Sequence, residues 1–212
     1  MTPAPDHFTG EELSQLGNRL VLYRCALRLV ETQLTNLNEF YLAGSDPNPI
    51  EHIKSRMKSA ESIAHKLALR GLPVTAESAA DHLTDIAGAR IICCYAKDIA
   101  DIATILKSHR DLTVVTEKDY VTHPKPSGYR SYHLVVRVTP DGAFGDRSVP
   151  VEIQIRTAAM DFWASLEHRV RYKYDGDIPE HLSAELRASA EKTHELDNRL
   201  YLIHELVDLI NA

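Results

Sequence analysis

Basic side chains cluster in one segment of a chain that is acidic as a whole. The chain has 24 Lys and Arg residues against 30 Asp and Glu residues, whereas residues 54–70 carry five Lys and Arg residues and one acid, Glu61. Within this segment Lys58, Ser62 and Lys66 are spaced four apart, which places them on one polar face of a predicted helix. Ammonium, guanidinium and hydroxyl groups on one surface suit a polyphosphate ligand, although a solvated helix face is the simpler interpretation.

Two acidic residues stand where a carboxylate could hold a metal ion. Asp85 precedes a predicted buried strand, and Glu152 lies in the middle of another strand, on the same polar face as Gln154 and Arg156. Carboxylates brought together from two strands could bind Mg²⁺, a cation that prefers oxygen ligands. The alternatives are a turn or N-cap role for Asp85 and, for Glu152, an internal salt bridge to Arg156 or Arg137.

A third candidate segment is residues 127–133, with the sequence SGYRSYH. Gly128 would let the backbone approach a ligand, Tyr129 could stack on a base, and Arg130 could bind a phosphate. A turn that enters a strand is the plainer interpretation. His133 taken alone would be a packed, hydrogen-bonded histidine.

Two long helices are predicted at the ends of the chain, at residues 13–43 and 180–211. In both, apolar residues follow alternating steps of three and four, which is the heptad pattern of a narrow helix seam. The seams consist of Leu16, Leu20, Tyr23, Leu27, Val30, Leu34, Leu37 and Tyr41 in the first helix and of Leu196, Leu200, Ile203, Val207 and Ile210 in the second. A narrow seam needs a helical partner, either the other terminal helix or the same helix of a second subunit.

The elements between these helices must position the candidate residues. The predicted elements are a helix at residues 50–70, strands at residues 90–95 and 112–116, a short helix with Asp98 as its N-cap, and a hairpin of residues 131–139 and 149–156 whose turn begins at residues 140–142. Thr157 would cap a further helix whose inward face is formed by Ala159, Phe162, Trp163, Leu166 and Val170. This order predicts an α/β (α+β) fold with a central mixed sheet of about four to five strands, including an antiparallel hairpin, flanked by helices.

Length and composition exclude several classes of protein. With 212 residues, 44% of them hydrophobic, the chain is expected to form one domain over residues 1–212, with residues 1–12 as a flexible tail. The net charge of −6 argues against a protein that coats nucleic acid, so RNA binding is not indicated. No signal peptide or membrane span is predicted. Three cysteines cannot all pair, which favours buried thiols in a cytoplasmic protein. P-loop, dinucleotide-binding, zincin and Cys-x-x-Cys motifs are absent from the sequence.

Six segments, in this order, together resemble the (p)ppGpp synthetase domain of the RelA/SpoT family. They are Arg56-x-Lys58…Ser62…Lys66 and residues 85–90, 118–120, 127–133, 151–157 and 159–168. The single-domain length is similar to that of the small alarmone synthetases, and we expect no hydrolase domain. The resemblance implies a nucleotidyltransferase-like fold and GTP diphosphokinase activity. The β,γ-pyrophosphate of ATP would pass to the 3′-hydroxyl of GDP or GTP, with GMP as a further candidate acceptor.

The resemblance also implies roles for individual residues. Asp85 and Glu152 would hold Mg²⁺, Glu152 would help to activate the 3′-hydroxyl, and Tyr129 would stack on guanine. Arg56 and Arg90 would enclose the adenine. The implied ATP-binding residues are Arg56, Lys58, Ser62, Lys66 and Arg90. The implied residues for the acceptor nucleotide are Tyr129, His133, Gln154, Lys125, Lys118, Arg130, Arg156 and Asp161.

The sequence also predicts how the chain assembles and how it is regulated. The long seams favour a homo-oligomer, a tetramer before a dimer. Some small synthetases bind an activating alarmone in a central cleft of the tetramer through basic residues. The matching positions here are Glu31, Thr35, Asn38 and His52, so we expect no activation by pppGpp. The alternative classes are a non-catalytic nucleotide- or RNA-binding regulator on the same fold, and a helical oligomerisation module with an inert α/β domain.

Overall fold

The computed structural model describes residues 7–140, 144–174 and 178–211. Residues 1–6 of the predicted tail, and Asp141 and Gly142 of the predicted hairpin turn, lie outside this part of the chain. In chain order the elements are α1 (Gly10–Ala43), β1 (Ile50–Met57), α2 (Ala60–Leu69), α3 (Ala76–His82), β2 (Ala87–Cys93), α4 (Ala96–Ser108), β3 (Thr113–Asp119), β4 (Tyr132–Val138), β5 (Val149–Thr157), α5 (Ala158–Lys173) and α6 (Glu180–Asn211).

The five strands form one mixed sheet in the order β1-β2-β5-β4-β3. Strands β2 and β5 are parallel, and the other neighbouring strands are antiparallel. Parallel neighbours need a long connection, which α4 and the β3–β4 hairpin provide here. The predicted mixed sheet, the antiparallel pairing of β4 with β5 and the flanking helices are therefore confirmed.

The two faces of the sheet differ because side chains alternate along each strand. On one face Val151, Ile153 and Ile155 of β5 are completely buried. Helices α1 and α4 pack against β2 and β5, and their buried residues, such as Leu34 and Ile102, join the same core. The opposite face of the sheet is polar and carries the candidate site.

The predicted helix at residues 50–70 is wrong in its first half, which forms strand β1 at one edge of the sheet. Helix α2 begins only at Ala60. Its N-cap is Ser59, whose hydroxyl accepts a hydrogen bond from the Ser62 amide.

The error arose because an edge strand buries few side chains. Within β1 only Ile50 is buried, so the alternation of apolar residues that marks a half-buried strand is missing. The basic residues were compatible with a helical spacing as well as with a strand. As a result Arg56 lies on a strand and Lys58 lies in the β1–α2 loop, whereas Ser62 and Lys66 lie on a helix as predicted.

Smaller parts of the predicted secondary structure also differ from the structure. Strand β2 begins at Ala87 and ends at Cys93, earlier than predicted, and β3 occupies Thr113–Asp119 rather than residues 112–116. Helix α3 was not predicted. Asp98 is not the N-cap of α4, because the helix begins at Ala96 and the Asp98 carboxylate reaches back to accept a hydrogen bond from the Tyr95 amide at 2.9 Å.

Helix α5 begins at its predicted cap but buries a different face. The Thr157 hydroxyl accepts a hydrogen bond from the Met160 amide at 3.2 Å. Three residues predicted to face inward are largely exposed, namely Phe162 (64%), Leu166 (43%) and Val170 (40%). Trp163 is buried because α6 packs on its side of the helix, and its indole N–H donates to the Leu186 carbonyl at 3.1 Å.

The terminal helices α1 and α6 match their predicted bounds closely, but they do not pack along each other as their main contact. Thr9 caps α1 and Phe8 is buried, so the predicted tail is too long at its C-terminal side. Helix α1 packs on the sheet and on α3, and α6 packs on α5 and α4. No helix in the described part of the chain is long and apolar enough to cross a membrane.

Candidate active site

Two rows of residues cross the polar face of the sheet. Cα pairing aligns Arg56, Gly88, Glu152, Val135 and Thr116 in the first row. It aligns Lys54, Arg90, Gln154, His133 and Lys118 in the second. Residues two apart on a strand share a face, so both rows belong to one surface. Gly88 has no side chain, which leaves space between Arg56 and Glu152 for a cavity that Asp85 also lines.

Asp85 lies between α3 and β2 and pairs with two lysines. Its Oδ2 accepts hydrogen bonds from Lys58 Nζ at 2.5 Å and from Lys66 Nζ at 2.6 Å. Burial alone would raise the pKa of Asp85, but the hydrogen bonds and charges of the two lysines outweigh burial and lower the pKa. Its Oδ1 is buried and has no hydrogen-bond partner among the described residues. Asp85 is therefore a charged carboxylate with one oxygen that has no hydrogen-bond partner among the described residues.

Glu152 lies near the middle of β5, and each of its oxygens has a neighbouring donor. His133 Nδ1 is 3.3 Å from Oε1, and Gln154 Nε2 donates to Oε2 at 2.7 Å. Burial alone would raise the pKa of Glu152, but the bonds from His133 and Gln154 outweigh it and lower the pKa below its usual value. Glu152 is thus held as a carboxylate at the centre of the polar face.

Two arginines converge on Asp161 beside this carboxylate. Asp161 Oδ1 is 2.8 Å from Arg90 Nη1 and 3.2 Å from Arg156 Nη1. Arg156 is almost completely buried, at 4% exposure. The alternative of a salt bridge from Glu152 to Arg156 or Arg137 does not hold, because Arg156 pairs with Asp161 and Arg137 lies at the far end of β4. Asp161 instead fixes two guanidinium groups in the wall of the site.

The polar groups line three adjoining cavities that share residues and together form one cleft. One wall carries Arg56, Arg90, Arg156, Ser165 and Arg169. The other carries Lys66, Arg70, Lys118, Lys125 and His133. Asp85 and Glu152 lie between the two walls. Such an arrangement can hold phosphate-bearing ligands between the two walls, with their reacting groups near the carboxylates.

Tyr129 lies in the loop before β4 and is connected to Glu152 by way of His133, which contacts both residues. Its Oη is 2.9 Å from His133 Nε2 and accepts a hydrogen bond from Arg156 Nη2 at 2.5 Å. Lys125 Nζ lies 4.7 Å and Arg156 Cζ 5.0 Å from the centre of the ring. The structure therefore brings together the predicted residues Tyr129, His133 and Lys125.

Arg130 and Gly128 do not take the places that the sequence suggested. Arg130 Nη1 donates to the Val121 carbonyl at 2.7 Å, and its Nη2 is 3.8 Å from Glu191 on α6. Gly128 has a φ of +88°, and a Cβ atom there would lie 2.5 Å from the Cβ of Ala190. The glycine therefore admits helix α6 rather than a ligand, and Arg130 holds the same contact.

Most residues of the cleft lie in a segment that is similar to known proteins. Residues 55–177 match the family model described as a region found in RelA / SpoT proteins. The chain belongs to the RelA/SpoT family. It is 44% identical over 191 residues to the GTP pyrophosphokinase YwaC of Bacillus subtilis (strain 168), a match that covers 90% of this chain and 91% of that protein.

Solved structures of RelA/SpoT relatives share the fold. The crystal structure of small alarmone synthetase 1 from Bacillus subtilis bound to its product pppGpp has a TM-score of 0.86 at 38% identity, and covers 92% of this chain and 99% of that one. The same synthetase bound to AMPCPP has a TM-score of 0.76 at 34% identity, with 92% and 98% coverage.

Several residues of the cleft in this RelA/SpoT chain were not assigned to the site from the sequence, among them Lys54, Ser165 and Arg169. Lys54 lies two residues before Arg56 on β1, so period-two alternation would have found it once β1 was recognised as a strand. Ser165 and Arg169 follow Asp161 at intervals of four on α5, and both line the cleft. That helical spacing was visible in the sequence, but the apolar pattern assigned a different inward face to α5.

Proposed function

We propose that this chain is a (p)ppGpp synthetase, which transfers the β,γ-pyrophosphate of ATP to the 3′-hydroxyl of GDP or GTP. The observation that carries the proposal is the position of two ionised carboxylates, Asp85 and Glu152, between two cationic walls of one cleft. The names of its relatives support it, since YwaC is a GTP pyrophosphokinase and the synthetase with the same fold was crystallised with pppGpp and with AMPCPP.

The ATP would lie over β1 and β2, between Arg56 and Arg90 on one wall and Lys66 of α2 on the other. Arg56 and Arg90 flank the space over Gly88, and their planar guanidinium groups suit stacking on adenine. Lys58 and Lys66, which pair with Asp85 here, would bind the phosphates. Ser62 is exposed on the first turn of α2, where its hydroxyl could reach the same phosphates.

The acceptor nucleotide would lie toward β3 and the loop before β4. Tyr129 would stack on guanine, and the implied contacts of the acceptor are Lys118, Lys125, His133, Gln154, Arg156 and Asp161. Arg130 is left out of this group because its bonds lie on the α6 side of the loop.

Glu152 would take up the proton of the 3′-hydroxyl as a bond forms between O3′ and the β-phosphorus. The bond from the β-phosphorus to the oxygen shared with the α-phosphate breaks, and AMP leaves. Phosphoryl-type transfer depends mainly on positioning and on neutralising charge, which the lysines and arginines of the cleft provide. A general base adds a factor of about 10² to 10⁴.

Asp85 and Glu152 would also hold Mg²⁺. Both carboxylates have a lowered pKa, and Asp85 Oδ1 is buried without a partner among the described residues. No group of three or more His, Cys, Asp or Glu residues forms a metal site within the described ranges. Two carboxylates suit Mg²⁺, which usually keeps water and substrate phosphate among its ligands. When bound, Mg²⁺ would neutralise phosphate charge and make the β-phosphorus a better electrophile.

Product analysis tests the proposal and identifies the acceptor. The purified chain is incubated with ATP, MgCl₂ and one of GMP, GDP or GTP, and the products are separated and their phosphate positions determined. We expect AMP together with a guanosine nucleotide that carries a 3′-pyrophosphate when GDP or GTP is supplied. Release of inorganic phosphate or pyrophosphate without such a product would contradict the proposal.

We also propose that the chain forms a homo-oligomer, a tetramer before a dimer, and works in the cytoplasm. The support for assembly is the exposed apolar seam of α6, where Leu200, Ile203 and Ile210 are 51%, 51% and 82% exposed. The three cysteines are unpaired, which is usual in a reducing compartment.

Activation by pppGpp is expected to be absent. Of the four positions, Glu31 bonds with Ser55, and Asn38 accepts a hydrogen bond from Asn48 at 2.8 Å. A carboxylate and neutral side chains would not attract a highly charged anion. Initial rates measured with and without added pppGpp should therefore agree within error. A marked stimulation would show that this surface, or another one, binds the alarmone.

A further inference from the structure

Five polar side chains in the cleft form a closed ring of four hydrogen bonds and one ion-pair contact, which joins His133 to Glu152. Arg156 Nη2 donates to Gln154 Oε1 at 2.7 Å, and Gln154 Nε2 donates to Glu152 Oε2 at 2.7 Å. On the other side Arg156 Nη2 donates to Tyr129 Oη at 2.5 Å, Tyr129 Oη is 2.9 Å from His133 Nε2, and His133 Nδ1 is 3.3 Å from Glu152 Oε1. Both branches therefore begin at one arginine and end at one carboxylate.

The two ends of the ring fix the direction of every bond in it. A guanidinium only donates and a carboxylate only accepts. The Gln154 amide must therefore turn its oxygen to Arg156 and its nitrogen to Glu152. In the other branch, His133 must carry a proton on Nδ1 to bond with Glu152. If the imidazole is neutral, its Nε2 then accepts a hydrogen bond from the Tyr129 hydroxyl.

We infer that the Tyr129 hydroxyl is a positioning group for the reaction, separate from the aromatic ring that would stack on guanine. It selects the Nδ1-protonated tautomer of His133, and that tautomer holds the Glu152 carboxylate in one orientation toward the cleft. Arg156 anchors the branch, since its side chain is 5% exposed and is also held by Asp161. The inference concerns the same site as the proposed function and rests on it for the catalytic part alone.

The tautomer of His133 can be measured without any nucleotide. Long-range ¹H–¹⁵N correlation spectra of histidine-labelled protein at about pH 8.5 distinguish the two tautomers of a neutral imidazole. The His133 signals are those that disappear in the His133→Gln variant. We expect a proton on Nδ1 in the wild type and a shift toward Nε2–H in Tyr129→Phe. A wild-type protein with the proton on Nε2, or a Tyr129→Phe variant with the wild-type tautomer, would overturn the inference.

A matched control is available in the neighbouring Tyr120. Its ring packs edge-on against His133 with 5.3 Å between centroids, and its hydroxyl takes no part in the ring of hydrogen bonds. Tyr120→Phe removes the hydroxyl of a second aromatic ring that packs edge-on against the imidazole, and it should leave the His133 tautomer unchanged. A change in tautomer of the same size in both variants would show that general repacking, not the Tyr129 hydroxyl, is responsible.

Kinetics then test the catalytic part of the inference. Tyr129→Phe keeps the aromatic ring, so KM for the guanine nucleotide should change by less than about threefold, while kcat should fall about tenfold because a transition-state interaction has been weakened. A raised KM with an unchanged kcat would overturn this part, since the hydroxyl would then serve binding alone. If the wild type forms no product, the proposed function fails, while the spectra still decide whether the ring exists.

Discussion

Helices α1 and α6 carry the same heptad pattern, but the pattern is used differently in the two helices. In α1 the seam is buried in the core, with Leu16, Leu27 and Leu34 at 3%, 4% and 0% exposure. In α6 the seam faces outward, with Leu200 and Val207 at 51% and 47% exposure. The first helix covers the apolar face of the sheet, whereas the second is attached through α5 and α4.

A narrow apolar seam therefore shows only that a helix needs a partner. It does not show whether that partner is a helix, a sheet or another chain. For α1 the partner is the sheet, because β2 and β5 are apolar along the whole covered face. For α6 the contacts of Ala190 and Asp197 fix only part of the helix. Its exposed seam is therefore the part of the molecule that best fits a second subunit.

The largest expected effect is the loss of core packing under α1. Leu34→Ala should lower the free energy of unfolding by about 2–5 kcal/mol, because it removes a completely buried side chain and leaves a cavity. Leu200→Ala is the same change on α6 and, at protein concentrations too low for assembly, should alter that free energy by no more than about 0.5 kcal/mol. Urea unfolding of both variants measures the difference. Equal losses would contradict the distinction between the two helices.

The exposed seam of α6 is expected to serve assembly rather than folding. Replacing Leu200 and Ile203 by Ser should lower the solution mass toward the 23.8 kDa of one chain without unfolding it, because a polar seam cannot bury itself against a second copy. Leu202→Ser is the control, since Leu202 is 60% exposed but lies off the seam. Sedimentation over a range of concentrations measures the mass. A wild-type protein that is monomeric throughout would show that the seam of α6 has no partner of its own kind.

The smallest expected change in stability concerns Asp197, a residue that attaches α6 to the rest of the chain. Asp197 is 6% exposed, accepts a hydrogen bond from the Thr157 hydroxyl at 2.7 Å, and has a pKa that burial raises above its usual value. Its charged form is disfavoured in the folded protein, so stability is highest below the usual pKa and is lost as the pH rises through the raised pKa. Asp197→Asn keeps an acceptor for Thr157 but does not titrate.

Thermal unfolding of the wild type and Asp197→Asn between about pH 4 and pH 8 measures this effect. The melting temperature of the variant, relative to the wild type, should rise slightly across the window in which Asp197 ionises. A melting temperature of the variant that falls relative to the wild type as the pH rises would show that the charge of Asp197 strengthens the attachment of α6.

The sequence predicted the fold best where one pattern dominated. The alternation in β4 and β5 identified both strands, and with them the polar face that carries Glu152, Gln154 and His133. It failed for β1, since an edge strand buries too little to show its period. It failed again for α5, because the buried side of that helix is decided by contact with α6, far along the chain. The pairing of Asp85 with two lysines likewise depends on a loop position that local patterns do not specify.

The carboxylate of Glu152 is expected to act as the base in pyrophosphate transfer within the cleft. This role is tested most directly by measuring the 3′-pyrophosphorylated product formed from ATP and GDP with Mg²⁺, by the wild type, by Glu152→Gln and by Glu185→Gln as a control on the exposed surface of α6. We predict product from the wild type and from the control. For Glu152→Gln we predict a rate lower by about 10² or more, in a protein that remains folded. A fully active Glu152→Gln would contradict the account.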